Sequence, residues 1–338
     1  MIIENLVTKV FQLLLLLSPI CVGADVDMDM FDLIFFRTGI IVLFMASLLD
    51  KPKRSMPEYI NKIVFGLLGL CIFNIFVHSF APAVMACTMN LFLGIAGIYI
   101  IYTYLDEKAN LLKYIFIAGV INLLFFAGQV LGFDPVFDKI PLNSAPLAGS
   151  FLGNSARLGV YFALIAPFIS AWLIPVAIFI GLLCSQYTIF IPVALLLLMK
   201  ARSRRLKIAL VFLVLLSVFI LRTHILTSIQ VRIDAISLAL KYFFDRPLIG
   251  FGLGNIVDQK LNFFSTSYIR FLIGAGIFGL VWMGYAFKSI YKSIGNNRES
   301  LAFITLLLIA SIEYPFELTR LWYLIIAIII MFLIKKGE

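Results

Sequence analysis

The chain has 338 residues, 62% of them hydrophobic and 13% charged, with a mean hydropathy of +1.07. Soluble proteins run at roughly one half and one quarter, so too few charged groups remain here to coat a water-facing surface, and a separate soluble catalytic domain is excluded. A net charge of +9 would suggest nucleic acid in a soluble protein, but at this hydropathy it reflects membrane anchoring, and no nucleic-acid partner is expected.

A membrane span takes about 20 apolar residues, which leaves room for about 10–12 spans. The expected fold is an all-α integral membrane protein, a single polytopic domain over 1–338. Apolar segments run near 6–22, 31–49, 63–79, 83–105, 114–133, 158–172, 174–185, 187–199, 208–222, 267–286, 301–314 and 318–334. The seventh and eighth are short enough to be tilted or to form one broken hairpin. The first could also be a signal peptide, since Val22-Gly23-Ala24 resembles a cleavage site. Against that, Lys9 is its one basic residue and Glu4 precedes it. Cys21, Cys71, Cys87 and Cys184 lie within apolar segments without metal or redox spacing, and read as packing residues.

Lys and Arg in the loops set the orientation. With the N-terminus inside, the cytoplasmic loops hold Lys51, Lys53, Arg54 and Lys62, then Lys108 and Lys113, then Lys200, Arg202, Arg204, Arg205 and Lys207. Lys288, Lys292 and Arg298 follow, and Lys335 and Lys336 end the chain. Both termini are therefore expected in the cytoplasm. Two outer loops are long enough to hold structure, 134–157 and 223–266. In the second, Ile229, Ile233, Ile236, Leu240 and Phe243 recur at helical spacing beside Arg232 and Lys241. That pattern fits an amphipathic helix at the outer membrane boundary or, equally, a helix packed on the bundle.

Seven arginines fall on the side where positive-inside bias does not explain them. Arg37 and Arg270 lie within spans, Arg157, Arg222 and Arg320 at outer span ends, and Arg232 and Arg246 in the large loop. Arginine inside a span usually faces a polar cavity or a partner, and its fork suits phosphate. An outward pocket rimmed with arginine points to a phosphate-bearing, lipid-linked substrate; snorkelling to headgroups is the plainer alternative for any one of them. Groups that could deprotonate an acceptor hydroxyl are few: His78, His224, Glu313, Glu317, Asp234 and Asp245. Asp25, Asp27 and Asp29 read as a solvated acidic loop rather than a cation site. No Walker loop, His-Glu-x-x-His or metal-spaced Cys pair is present. Gly250-Phe251-Gly252-Leu253-Gly254 lacks the strand–helix setting of a dinucleotide site.

That glycine stretch, in its surroundings, resembles the large outer loop of the O-antigen ligase and polymerase family. Arg232, Ala239-Leu240 and Arg246-Pro247-Leu248-Ile249-Gly250-Phe251-Gly252-Leu253-Gly254-Asn255 match its Arg, amphipathic helix and Pro-Leu-x-Gly-x-Gly turn. Tyr268-Ile269 and Gly276-Ile277-Phe278-Gly279-Leu280 look like the start of its next span. Upstream, the run from Gly149 to Gly159, which contains Asn154 and Arg157, resembles its Gly-Thr-Phe-x-Asn-Pro-Asn entry into a span. Glu313-Tyr314-Pro315-Phe316 and Leu321-Trp322 also fit, so the likeness covers roughly 145–330.

The resemblance implies an integral glycosyltransferase of the bacterial inner membrane, acting at its outer face on undecaprenyl-diphosphate-linked glycan without metal or other cofactor. Three departures narrow it. The family's His-Asn pair stands here as Ser265-Thr266, its Ser-Arg pair as Ser185-Gln186, and an acidic position as Gly274. The missing His favours a repeat-unit polymerase over an O-antigen ligase or a protein O-oligosaccharyltransferase; a lipid-linked glycan flippase is the alternative of another class. On this reading Arg232, with Arg157, Arg270, Arg37, Arg320 and Arg246, would hold the diphosphate. Asn154, Gly250 and Gly252 would line the substrate site, and Glu313, Glu317 or His224 would take the proton. Partners would be the lipid-linked oligosaccharide, a glycan acceptor, membrane lipids and a chain-length regulator protein.

Overall fold

A backbone that crosses lipid must satisfy its own N–H and C=O groups, which for apolar runs of this length means helix. The structure is a computed structural model that describes residues 2–21, 37–49, 54–78, 81–105, 110–130, 222–255, 267–295, 298–313 and 320–337, with isolated positions between 161 and 212. Every regular element among them is helical: α1 (Ile2–Cys21), α2 (Thr38–Leu49), α3 (Glu58–Val77), α4 (Pro82–Tyr99, closing in a π turn Ile100–Tyr104), α5 (Leu111–Val130), α6 (Arg222–Asp245), α7 (Ser267–Ser293), α8 (Arg298–Glu313) and α9 (Arg320–Gly337). Four are long and apolar enough to cross a membrane: Glu58–Val77, Pro82–Tyr104, Leu111–Gln129 and Ser267–Ser293. The spans expected at 158–172, 174–185, 187–199 and 208–222, and the loop 134–157, lie outside the described residues apart from isolated positions.

Helix ends reach past the apolar runs. α3 starts five residues before the predicted 63, because Glu58 suits a helix N-terminus and pairs with Lys62 one turn on. α7 continues beyond 286 through Lys288 and Lys292, cations placed where the helix dipole favours them. Hydropathy marks the lipid-facing stretch, whereas the hydrogen-bonded helix extends one or two polar turns further.

The chain divides into two compact units, with one division falling inside α4. The first unit, Met1–Pro57, Leu93–Ile189 and Leu321–Glu338, holds α1, α2, α5, the second half of α4 and nearly all of α9. Glycines allow one close helix contact in it. A Cβ on Gly94 would stand 2.8 Å from the Tyr323 ring and one on Gly97 2.1 Å from Leu324, so α4 and α9 touch through a small-residue face. The Tyr102 hydroxyl donates to the Ala327 carbonyl at 3.2 Å, and the Arg54 guanidinium caps the π turn by donating to the Leu105 carbonyl.

The second unit, Glu58–Phe92 and Phe190–Arg320, is organised on α7, which packs against α3, α6 and α8. α3 and α7 run antiparallel. The Trp282 indole donates to the Ile63 carbonyl at 3.1 Å near one end, and Phe73 meets Phe278 edge-on at 6.0 Å toward the other. Charges sort along this axis. Lys62, Lys288 and Lys292 share one end, while His78, Arg246 and Arg270 belong to the opposite end.

Candidate functional site

At that second end α7 breaks. Gly276 adopts φ 59°, ψ −145° inside the helix, a left-handed φ that costs glycine little. An unbroken helix would bond the Ile277 N–H to the Ile273 carbonyl. Instead Ile277 donates to the Pro247 carbonyl at 2.9 Å. The freed Ile273 carbonyl accepts from Phe251 N–H at 2.8 Å, and the Gly274 carbonyl from Gly252 N–H at 2.9 Å. The turn 246–255 thus enters the gap and replaces the helix bonds that the break removes, as an apolar setting requires. Contact is backbone to backbone: a Cβ on Gly250 would stand 2.3 Å from the Ile273 oxygen.

The other walls come from α3 and α4. Leu253 N–H donates to Asn74 Oδ1 at 2.9 Å. A Cβ on Gly252 would strike Val84 and the His78 ring, and one on Gly254 would strike Ala83 and Cys87. Gly250 N–H is spent on the Arg246 carbonyl and Asn255 N–H on the Gly252 carbonyl. The amides of Gly250 and Gly252 are therefore committed within the protein, and a substrate at this turn would meet side chains and carbonyls.

Arg246 projects over the Phe251 ring, its Cζ 4.8 Å from the centroid. Phe251 in turn meets Tyr242 of α6 edge-on at 5.8 Å. This packing continues into a cluster of Ala235 and Ala239 with Ile269 and Ile273, which joins α6 to α7. The bulky residues that mark α6 as periodic are not the ones that pack. Ile233, Ile236 and Leu240 are 52%, 49% and 42% exposed, whereas Ala239 is fully buried. α6 therefore packs on α7 through a small-residue face and carries an exposed apolar stripe. Arg232 is partly buried and precedes Ile236 and Ala239 by four and seven residues, so it lies on the seam between the two. Lys241 falls among Ser237, Asp234 and Asp245 on the polar face; Asp234 accepts from Gln230 at 2.9 Å.

Arg232, Arg246, Arg270, Gly250 and Gly252 thus belong to one unit, with Arg270 one turn before the Ile273 and Gly274 carbonyls. Arg37 belongs to the other, at the start of α2. His224 is in the first turn of α6, Glu313 ends α8 and Arg320 begins α9, with their side chains outside the described residues. Arg157, Asn154 and Glu317 lie wholly outside them, as do Ser265 and Thr266. Sequence reasoning passed over Asn74, whose signal was a lone amide deep in an apolar span, one turn before His78. It also passed over the break at Gly276, signalled by the run Gly274, Gly276, Gly279. Among the described residues no group of three or more His, Cys, Asp or Glu could hold a metal ion. No protein-family model matches the chain, and no curated protein is similar enough to count as a match.

Proposed function

We propose that the chain is a polysaccharide polymerase of the bacterial inner membrane, with twelve membrane helices and both termini cytoplasmic, joining undecaprenyl-diphosphate-linked repeat units at the outer face. One observation carries this reading. The stretches that bear the family resemblance, α6 with Arg232, the turn at 246–255 and the start of α7 with Arg270, interlock as one piece at the end of α3 opposite Lys62. Arginine forks held on such a frame would stabilise charge developing on a departing diphosphate without reorganising. An acceptor hydroxyl would displace that diphosphate at the anomeric carbon, with inversion. Deleting the gene tests the reading: lipid A core should then carry a single repeat unit, because a separate ligase still works. Bare core with long carrier-linked polymer would assign the ligase reaction instead.

A further inference from the structure

Two buried polar atoms beside the glycine turn have no hydrogen-bond partner among the described residues: Asn74 Nδ2 and His78 Nε2. Each belongs to a side chain whose other polar atom is occupied. Asn74 Oδ1 accepts from Leu253 N–H, which fixes the amide with its NH₂ pointing away from the turn's backbone. The His78 ring bonds the Ile249 backbone in a way that favours its protonated form, so the ring donates there. Because Nε2 is the partnerless nitrogen, the donor is Nδ1, and neutral His78 carries its lone pair on Nε2. The two residues stand one helical turn apart, since His78 N–H donates to the Asn74 carbonyl at 3.1 Å. Their side chains therefore share a face, about 6 Å apart.

A bare NH₂ and a bare imidazole nitrogen select their occupant. A phosphate or carboxylate oxygen would be repelled by the Nε2 lone pair. A cation would meet the Asn74 NH₂ and the positive charge of Arg246, which acts on His78. A hydroxyl fits both, accepting from Nδ2 and donating to Nε2. We infer that Asn74 and His78 form the site for the acceptor sugar's hydroxyl, with His78 Nε2 as the base that takes its proton. This rests on the transferase reading above. In the step, the hydroxyl oxygen bonds the anomeric carbon as its proton passes to Nε2. The bond from that carbon to the diphosphate oxygen breaks, its electron pair leaves with the diphosphate, and the imidazolium then loses the proton to water. Burial and the Arg246 charge hold the His78 pKa below the usual imidazole value, so the ring is neutral and competent at pH 7. Around it α4 offers Val84 and the turn offers Gly252, neither of which titrates. Both polar atoms are closed off from solvent here, which keeps the proton transfer away from bulk water.

The test uses the full chain and two readouts. Nitrogen-15 NMR of the purified protein in nanodiscs has two histidines to resolve, and His78→Asn assigns them. The Nδ1-protonated neutral ring at pH 7 is expected; an Nε2-protonated ring or an imidazolium would overturn the inference. His78→Asn keeps a donor for the Ile249 carbonyl but deletes the Nε2 acceptor. In a deletion strain it should reach the membrane with near wild-type thermal stability and lose polymerisation at least about 100-fold, the scale of general-base catalysis. Wild-type polymer from His78→Asn would mean that the pair holds one water only, and would sink the inference while leaving the polymerase reading intact. If deletion of the whole gene leaves chain lengths unchanged, the polymerase reading itself fails and the base assignment with it.

Discussion

Leu253 and Asn74 stand 179 residues apart in sequence and are joined by one buried hydrogen bond of 2.9 Å, Leu253 N–H to Asn74 Oδ1. Through it an α3 side chain holds a loop that has already traded backbone bonds with α7. Asn74→Leu should therefore orphan a buried amide, at about 1–3 kcal/mol. Thr88→Val is the matched control, because the Thr88 hydroxyl is buried without a partner among the described residues and its removal should be neutral or stabilising. Thermal unfolding in detergent reads both; equal losses would mean that Asn74 does not pin the turn.

Gly276→Ala should be worse than Gly295→Ala, although both glycines have positive φ, 59° and 75°. At Gly295 nothing lies within 4 Å of an added Cβ, so only the backbone conformation is penalised, by about 1 kcal/mol. At Gly276 the Cβ would also stand 2.6 Å from the Pro247 and Leu248 oxygens, driving the turn out of the break. Proteolysis between 246 and 255 should rise for Gly276→Ala alone. Equal resistance in the two variants would argue against the interlock.

Helical spacing made α6 readable, since Ile233, Ile236 and Leu240 repeat with the right period. It did not identify the packed face, because Ala235 and Ala239, which pack against Ile269 and Ile273 of α7, are too small to dominate a hydrophobic pattern. The break in α7 was hidden for a different reason. Its bonds exchange main-chain groups of Ile273, Gly274 and Ile277 with those of Phe251, Gly252 and Pro247, and side-chain patterns say nothing of main-chain partners. The glycines were visible, but their purpose, close backbone approach, was not. Sidedness could gather Arg232, Arg246 and Arg270 as site arginines but could not separate them from Arg37 in the other unit.

Stability should depend on the His78 charge. Its folded pKa lies below the unfolded value of about 6.5, from burial first and then Arg246, partly offset by the Ile249 backbone bond. The unfolded chain therefore binds a proton that the folded one refuses. His78 contributes stability above pH 6.5, which is lost as pH falls from there through the lower folded value. Melting midpoints should drop across that window in the wild type and stay flatter in His78→Asn. Parallel curves would show that His78 titrates alike in both states.

Cysteine labelling should separate the two faces, in a background with the four native cysteines replaced. Ser203→Cys, at an exposed position, should react only after permeabilisation. Ser144→Cys and Ser265→Cys should react from outside. Labelling of Ser144→Cys only from the cytoplasm would invert the topology and move the proposed chemistry to the wrong face.

Arg232 is the sharpest test of the diphosphate reading. It sits on the seam of α6, beside Ile236 and in line with buried Ala239, where nothing in the amphipathic pattern calls for a cation. Lys241 occupies the polar face of the same helix and is exposed. If Arg232 grips the leaving diphosphate, Arg232→Ala should reduce polymerisation by about 10²–10³, the loss typical of one electrostatic donor. The protein should still be found in the membrane. Arg232→Lys should recover little, because an ammonium keeps the charge but loses the bidentate fork. Lys241→Ala should be mild, since a solvated lysine can be removed without leaving a buried group unpaired. Chain-length profiles on gels, normalised to membrane-embedded protein, measure all three. Wild-type chains from well-expressed Arg232→Ala would take Arg232 out of the site, and a loss in Lys241→Ala as large as in Arg232→Ala would mean that α6 anchors the protein rather than binding its substrate.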